Sequence, residues 1–242
     1  MKRALQAAAL LALTGIAVFL AWNHYDRKWL QSPIEGLVAP IVFEVPRGAS
    51  LSSIARRLES QGMMDRPRSW VRHANREGLS TRLKAGEYRL QPGTSPAMLL
   101  DQFVAGDVIL HTITLPEGWT FRQALAAIQS HPQVKSELTG LDDREILARL
   151  GMRDAHPEGL FFPDTYRFPR GTSDRDLLRQ AHLRLESELA AAWARRAEGL
   201  PLESPYDALI LASLVEKETG ASEERPLIAG VFVNRLRKGM RL

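Results

Sequence analysis

Ile41-Val-Phe-Glu-Val-Pro-Arg-Gly-Ala-Ser-Leu51 passes from β-branched and aromatic residues through a Pro-x-Gly turn to a hydroxyl and an apolar run. Ile41–Val45 reads as a strand, and Pro46 to Gly48 turns the chain. Ser50 then caps a helix with apolar positions Leu51, Ile54, Ala55 and Leu58, which Gln61-Gly62 closes. The same grammar returns at Tyr88–Leu90, with Pro92-Gly93 and a Thr94-Ser95 cap ahead of Met98, Leu99 and Phe103. It returns again at Ile113–Leu115, with Pro116–Gly118 and Thr120 ahead of Phe121, Ala124, Leu125 and Ile128. Each unit puts Pro and Gly where the chain must turn and a hydroxyl where helix-end amides need partners. A further helix over 66–75 carries Trp70, Val71 and His73. The expected fold class is α+β.

On the amino-terminal side, Ala4–Trp22 is a run of 19 residues without a charge, behind Lys2 and Arg3. At 1.5 Å rise per residue, roughly 20 apolar residues span a bilayer core. Trp22 closes the run, and Tyr25 and Trp29 follow where interfacial aromatics sit. The expected layout is a cytoplasmic stub (1–3), a retained signal anchor (4–22) and a linker (23–40), with everything beyond on the extracytoplasmic side. A cleaved signal peptide is the rival, although no small-x-small site follows Phe19.

The whole chain has 242 residues, 45% apolar, 25% charged and 7% aromatic, with a net charge of +4 and no cysteine. That composition excludes collagen-like, low-complexity and wholly disordered chains, and the missing thiols exclude disulfide scaffolds, zinc ribbons and cysteine nucleophiles. So small a charge surplus, spread along the sequence, argues against nucleic acid as a partner. No metal-ligand spacing, phosphate loop or Ser/His/Asp set is visible, so neither metal nor cofactor is expected.

Towards the carboxyl end, Asp142–Leu150 reads as a helix. Glu158-Gly-Leu-Phe-Phe-Pro-Asp-Thr-Tyr166 then places three aromatics and two acids within nine residues. Glu158, Phe162, Asp164 and Tyr166 there suit a sugar ring, with aromatic faces for the C–H groups and acceptors for the hydroxyls. The plainer alternative is a loop whose phenylalanines plug the core. Asp174–Glu198 reads as a long amphipathic helix stopped by Gly199. Pro205 opens the next, and Ala208–Val215 is apolar on all sides except Ser213, the pattern of a buried helix. Glu216-Lys-Glu218-Thr219 sits on its end, Glu218 following Ala208, Leu211 and Val215 down one face and Glu216 falling below Leu209 and Ala212. A carboxyl group protonating a glycosidic oxygen near neutrality needs its pKa lifted from about 4.3 towards 6 or 7, which apolar surroundings and a helix carboxyl terminus both favour. Most glutamates at helix ends are simply solvated, and Lys217 could neutralise either acid. Ser222–Lys238 reads as a capped helix on which Asn234 and Arg235 could orient a sugar or a carboxylate.

Glu158-Gly-x-x-x-Pro-Asp-Thr165, Val215-Glu-Lys-Glu-Thr219 and Val231-Phe-Val-Asn-Arg-Leu-x-x-Gly-Met-x-Leu242 together resemble the MltG/YceG-like family of endolytic murein transglycosylases. The first two strand-turn-helix units resemble a LysM-like module. The resemblance implies a single-pass inner-membrane protein with a LysM-like domain (41–106) and a mainly helical catalytic domain (107–242) in the periplasm. That domain would cut nascent peptidoglycan strands between MurNAc and GlcNAc, leave 1,6-anhydro-MurNAc ends and so terminate elongation. It implies Glu218 as the catalytic acid and base, with Glu216, Asn234 and Arg235 positioning substrate and peptidoglycan synthases as candidate partners. Family members continue beyond Gly239-Met-x-Leu242, so this chain is expected to carry an incomplete catalytic domain. Two alternatives stand beside this one, a non-catalytic tethered glycan-binding scaffold and a muramidase-type hydrolase.

Overall fold

The computed structural model describes residues 2–152 and 156–242, with side chains from Leu13 onward except Phe19 and residues 153–155. The chain divides into two compact units between Leu110 and His111. The first opens with helix α1 (Lys2–Gln31), 30 residues long. Among the described residues no helix is long and apolar enough to cross a membrane. Residues 4–12 of the expected anchor lie outside the described side chains.

The segment 23–40 is not a free linker. Leu30, Ile34 and Leu37 are buried in the core of the first unit, and the Ile34 amide donates to Thr94 O at 2.9 Å. Three apolar side chains that can leave water here outweigh the turn chemistry of Pro33 and Gly36.

Strand β1 (Ile41–Val45) leads to α2 (Leu51–Ser60), α3 (Pro67–Arg76), β2 (Gly86–Leu90) and α4 (Pro96–Ala105). The strands pair antiparallel, Ile41 opposite Leu90 and Val45 opposite Gly86. Phe43 and Val45 face the core while Val42 and Glu44 face out, the period-two alternation of a half-buried strand. Trp70 fills the centre with no exposed surface, its indole N–H donating to Pro96 O at 2.8 Å. Met98, expected among the core positions, is 58% exposed. Helical periodicity turns it away from the face that carries Leu99, Leu100 and Phe103.

Strand β3 (Leu110–Thr114) starts at the boundary, and the second unit continues with α5 (Phe121–Ser130), α6 (Asp143–Leu150), β4 (Thr165–Pro169), α7 (Asp174–Ala194), α8 (Pro205–Glu218) and α9 (Arg225–Arg237). β3 and β4 form a second two-stranded sheet. Helix α7 ends four residues before the expected Glu198, because the Arg195 and Arg196 amides donate to Ala192 O and Trp193 O in a tightened last turn. Its first residue, Asp174, is fully buried and accepts from the Glu137 and Leu138 amides at 2.9 and 3.1 Å.

Strand–helix–helix–strand–helix therefore occurs twice. The second copy includes a fourth strand-turn-helix unit at β4, where Pro169-Arg-Gly171-Thr-Ser173 repeats Pro46-Arg-Gly48-Ala-Ser50. Gly48 and Gly171 take φ of +75° and +77°, which a side chain would strain. Over the leading strand and helix the copies correspond at a constant shift of 70 positions, so that Phe43 matches Ile113, Ser50 matches Thr120 and Leu58 matches Ile128. Over the closing strand and helix the shift is 78, so that Tyr88 matches Tyr166, Ser95 matches Ser173, and Leu99, Leu100 and Phe103 match Leu177, Leu178 and Ala181. Particular hydrogen bonds repeat with the residues. Lys84 N donates to Phe103 O at 3.0 Å, and Phe162 N to Ala181 O at 3.1 Å. Tyr88 Oη donates to Lys84 O at 2.6 Å, and Tyr166 Oη to Phe162 O at 2.5 Å. Burial pushes both phenols up to about 12.

Candidate functional site

Helix α8 starts from a reciprocal cap, the Ser204 hydroxyl accepting from the Asp207 amide while Asp207 accepts from the Ser204 amide. The Glu203 amide, then the Ser204 hydroxyl and amide, hold the Asp207 carboxyl below the usual carboxylate range. The helix is not buried all round. Leu211 and Val215 are buried, Ile210 is 45% exposed, and Ala212 and Ser213 face out. The reason is one-sided cover: among the described residues Leu211 and Val215 join a small cluster with Phe232, Ile228, Ala229, Val233 and Leu236 of α9, Leu214 and Leu202.

Glu218 is the last residue of α8. It lies a turn beyond Val215 on the same face, but it is exposed, and among the described residues no hydrogen bond or ion pair holds it. The greasy surroundings expected around it are not supplied by these residues. The turn beyond it is fixed: the Thr219 hydroxyl donates to Glu224 Oε2 at 2.7 Å and accepts from the Ala221 amide at 3.0 Å. Glu216 pairs with Arg225, Nη2 to Oε2 at 2.9 Å. No side-chain cap starts α9, so Ser222 does not play the expected part. Asn234 is exposed and Arg235 half-buried on α9.

A cleft of about 520 Å³ lies beside the end of α8. The β3–α5 turn contributes Trp119 and Phe121, the segment before β4 contributes Glu158 and Phe161, and α8 contributes Glu216 and Lys217. Phe121 and Phe161 stack as its apolar floor, centroids 5.3 Å apart and planes 22° off parallel. Both Glu158 oxygens accept from the Phe121 amide, at 3.1 and 3.0 Å, so this carboxylate also serves as anion for the α5 amino terminus.

The structure thus brings Glu158 and Glu216 to one cleft, and Glu218 is not among its lining residues. Tyr166 does not face a ligand, being 5% exposed with its hydroxyl satisfied by Phe162 O. Phe162 lies under the Arg184 guanidinium, 5.9 Å from the ring centroid. Asp164 is exposed and accepts from the Thr165 amide at 2.7 Å, a turn bond that explains its place. Sequence reasoning misses Trp119, 43% exposed at the cleft wall. The available signal was an aromatic set between the turn glycine and the cap, where the matching residue of the first copy is Ala49.

Residues 43–242 match the model of the YceG-like family. The chain belongs to that family. This YceG-like chain is 29% identical over 227 residues to an endolytic murein transglycosylase of Streptococcus pneumoniae, an alignment covering 82% of the chain and 40% of the relative. It is 26% identical over 235 residues to one of Bacillus subtilis, covering 90% of the chain and 65% of that relative. It thus spans less than half the length of the pneumococcal protein. A solved YceG-like protein of Listeria monocytogenes is similar at 25% identity with a TM-score of 0.42, over 84% of this chain and 71% of that one.

Proposed function

We propose that the chain is part of an endolytic murein transglycosylase that cuts peptidoglycan strands from within, with Glu218 as its acid and base. The observation that carries this is the alignment with two proteins named for that activity over 82% and 90% of the chain. Glu218 protonates the glycosidic oxygen and the C1–O bond of the muramyl residue breaks. The same carboxylate then takes the C6 hydroxyl proton as O6 closes onto C1. No water is consumed and a 1,6-anhydro end results, so a second catalytic carboxylate is not required. Glu216, aligned by Arg225, and Asn234 and Arg235 on α9 position the strand.

Digesting purified glycan strands and analysing the products by mass spectrometry tests this. Anhydro-muramyl ends are expected, with Glu218→Gln slowing their formation by about 10²–10⁴-fold, the range for loss of a general acid. Ordinary reducing ends would instead mark a muramidase-type hydrolase. The exposure of Glu218 favours one further reading, a tethered glycan-binding scaffold. That reading wins if Glu218→Gln leaves the cellular phenotype intact while deletion of 41–106 abolishes it.

The strand–helix–helix–strand order of the first unit supports a LysM-like part in glycan recognition. Ala4–Trp22 anchors the protein in the inner membrane with residues 23–242 outside, where strand termination brings it beside peptidoglycan synthases. Release of the full chain from membranes by alkaline carbonate would sink the anchor.

A further inference from the structure

Comparing the two copies isolates one side chain. At the position after the turn glycine the first copy has Ala49, which packs against its own core. The second has Trp119, which lies outside its core cluster and is 43% exposed. The fold therefore needs no indole at this position, since the matching turn forms with a methyl group. Trp119 is nonetheless held on firm backbone. The Thr120 amide donates to Gln123 Oε1 at 2.8 Å and the Phe121 amide to the Glu158 carboxylate, pinning the two residues that follow the indole. Around it the cleft offers the stacked Phe121 and Phe161 below and Glu158, Glu216 and Lys217 at the rim. A large aromatic face, a few polar groups at its edge and a preorganised support suit a pyranose ring, which has an apolar C–H face and a hydroxyl perimeter.

We propose that the second copy, through Trp119, supplies a stacking subsite for an N-acetylhexosamine ring of the glycan strand. The proposal rests on the reading that murein glycan is the substrate. It moves part of glycan recognition from the first copy, the one that resembles LysM, to the second. The Glu158 and Glu216 carboxylates accept from ring hydroxyls or the acetamido N–H, and the Lys217 ammonium donates to an acetamido carbonyl.

The test is calorimetric titration of the full chain, in a Glu218→Gln background that prevents turnover, with a β-1,4-linked N-acetylglucosamine oligomer and with uncross-linked murein strands. Trp119→Ala is expected to weaken binding about tenfold, Trp119→Phe to retain most of it, and far-ultraviolet circular dichroism to be unchanged in both. In the enzymatic assay Trp119→Ala should raise KM more than it lowers kcat. Equal affinity of Trp119→Ala and its parent, or no binding of either glycan by the parent, overturns the subsite. Strand binding that depends on Trp119 without anhydro ends from the unmutated chain would overturn the catalytic reading and leave the subsite standing.

Discussion

Replacing Asp174 with alanine should loosen the second unit and leave the first intact. The carboxylate has no exposed surface. It accepts from the Glu137, Leu138 and Arg175 amides at 2.9, 3.1 and 2.9 Å and from Gln129 Nε2 at 3.1 Å. It thereby ties the α5 helix and the segment before α6 to the start of α7. A hydrogen bond to a charged group contributes about 1.5–3 kcal/mol, and a buried donor left without a partner costs its desolvation. Counting only the Glu137 and Leu138 amides, and allowing water to enter, the expected loss is about 3–5 kcal/mol, a large share of the roughly 5–15 kcal/mol that holds a domain. Hydrogen exchange of the full chain, read by mass spectrometry, resolves the effect by segment. Peptides from α5, from 135–150 and from the start of α7 should lose protection by roughly 10²–10⁴-fold. Peptides from 41–106, which have their own core, should be unaffected. Asp174→Asn, which keeps one acceptor oxygen, should fall between. A change below about tenfold in Asp174→Ala would refute the assignment of Asp174 as the clasp of this unit.

Two further outcomes follow from the same geometry. Glu158→Ala removes the acceptor of the Phe121 amide and should lower stability by about 0.5–2 kcal/mol, as loss of a helix cap does; an unchanged melting temperature would leave Glu158 without a structural role. Tyr88 and Tyr166 are raised by burial from 10.0 to about 12, so the folded state keeps protons that the unfolded chain releases. Their stabilisation is complete below about pH 10 and is lost as pH rises towards 12. Tyrosinate absorbance and circular dichroism should then change together, and a fold that survives with both phenols ionised would contradict their burial.

Local chemistry was legible and cover was not. Ser50, Ser95 and Thr120 were readable as caps because a hydroxyl after a Pro/Gly turn meets amides within its own few residues, and β1 needed only the alternation of five side chains. The exposure of α8 was unreadable, because an apolar run records what a helix can bury and not whether a partner reaches every side. The burial of Ile34 and Leu37 depends likewise on residues far along the chain. Glu158 and Glu216 sit in motifs that the sequence singles out, and both line the cleft. Tyr166 belonged to the same motif but is spent on the core. Trp119 and Asp174 carry no motif: one is a lone aromatic at a turn, the other a helix-start acid whose partners come from another segment.

Beside the hydroxyl caps at Ser50 and Thr120 and at Ser95 and Ser173, the bonds that repeat between the copies end on main-chain carbonyls: Lys84 and Phe103 in one, Phe162 and Ala181 in the other. None of these bonds uses the side chain directly behind the turn glycine. The residue in that place differs, Ala49 in one copy and Trp119 in the other, while strand, turn and helix persist in both. Grafting an aromatic at Ala49 asks whether the first copy can be taught a grip of its own.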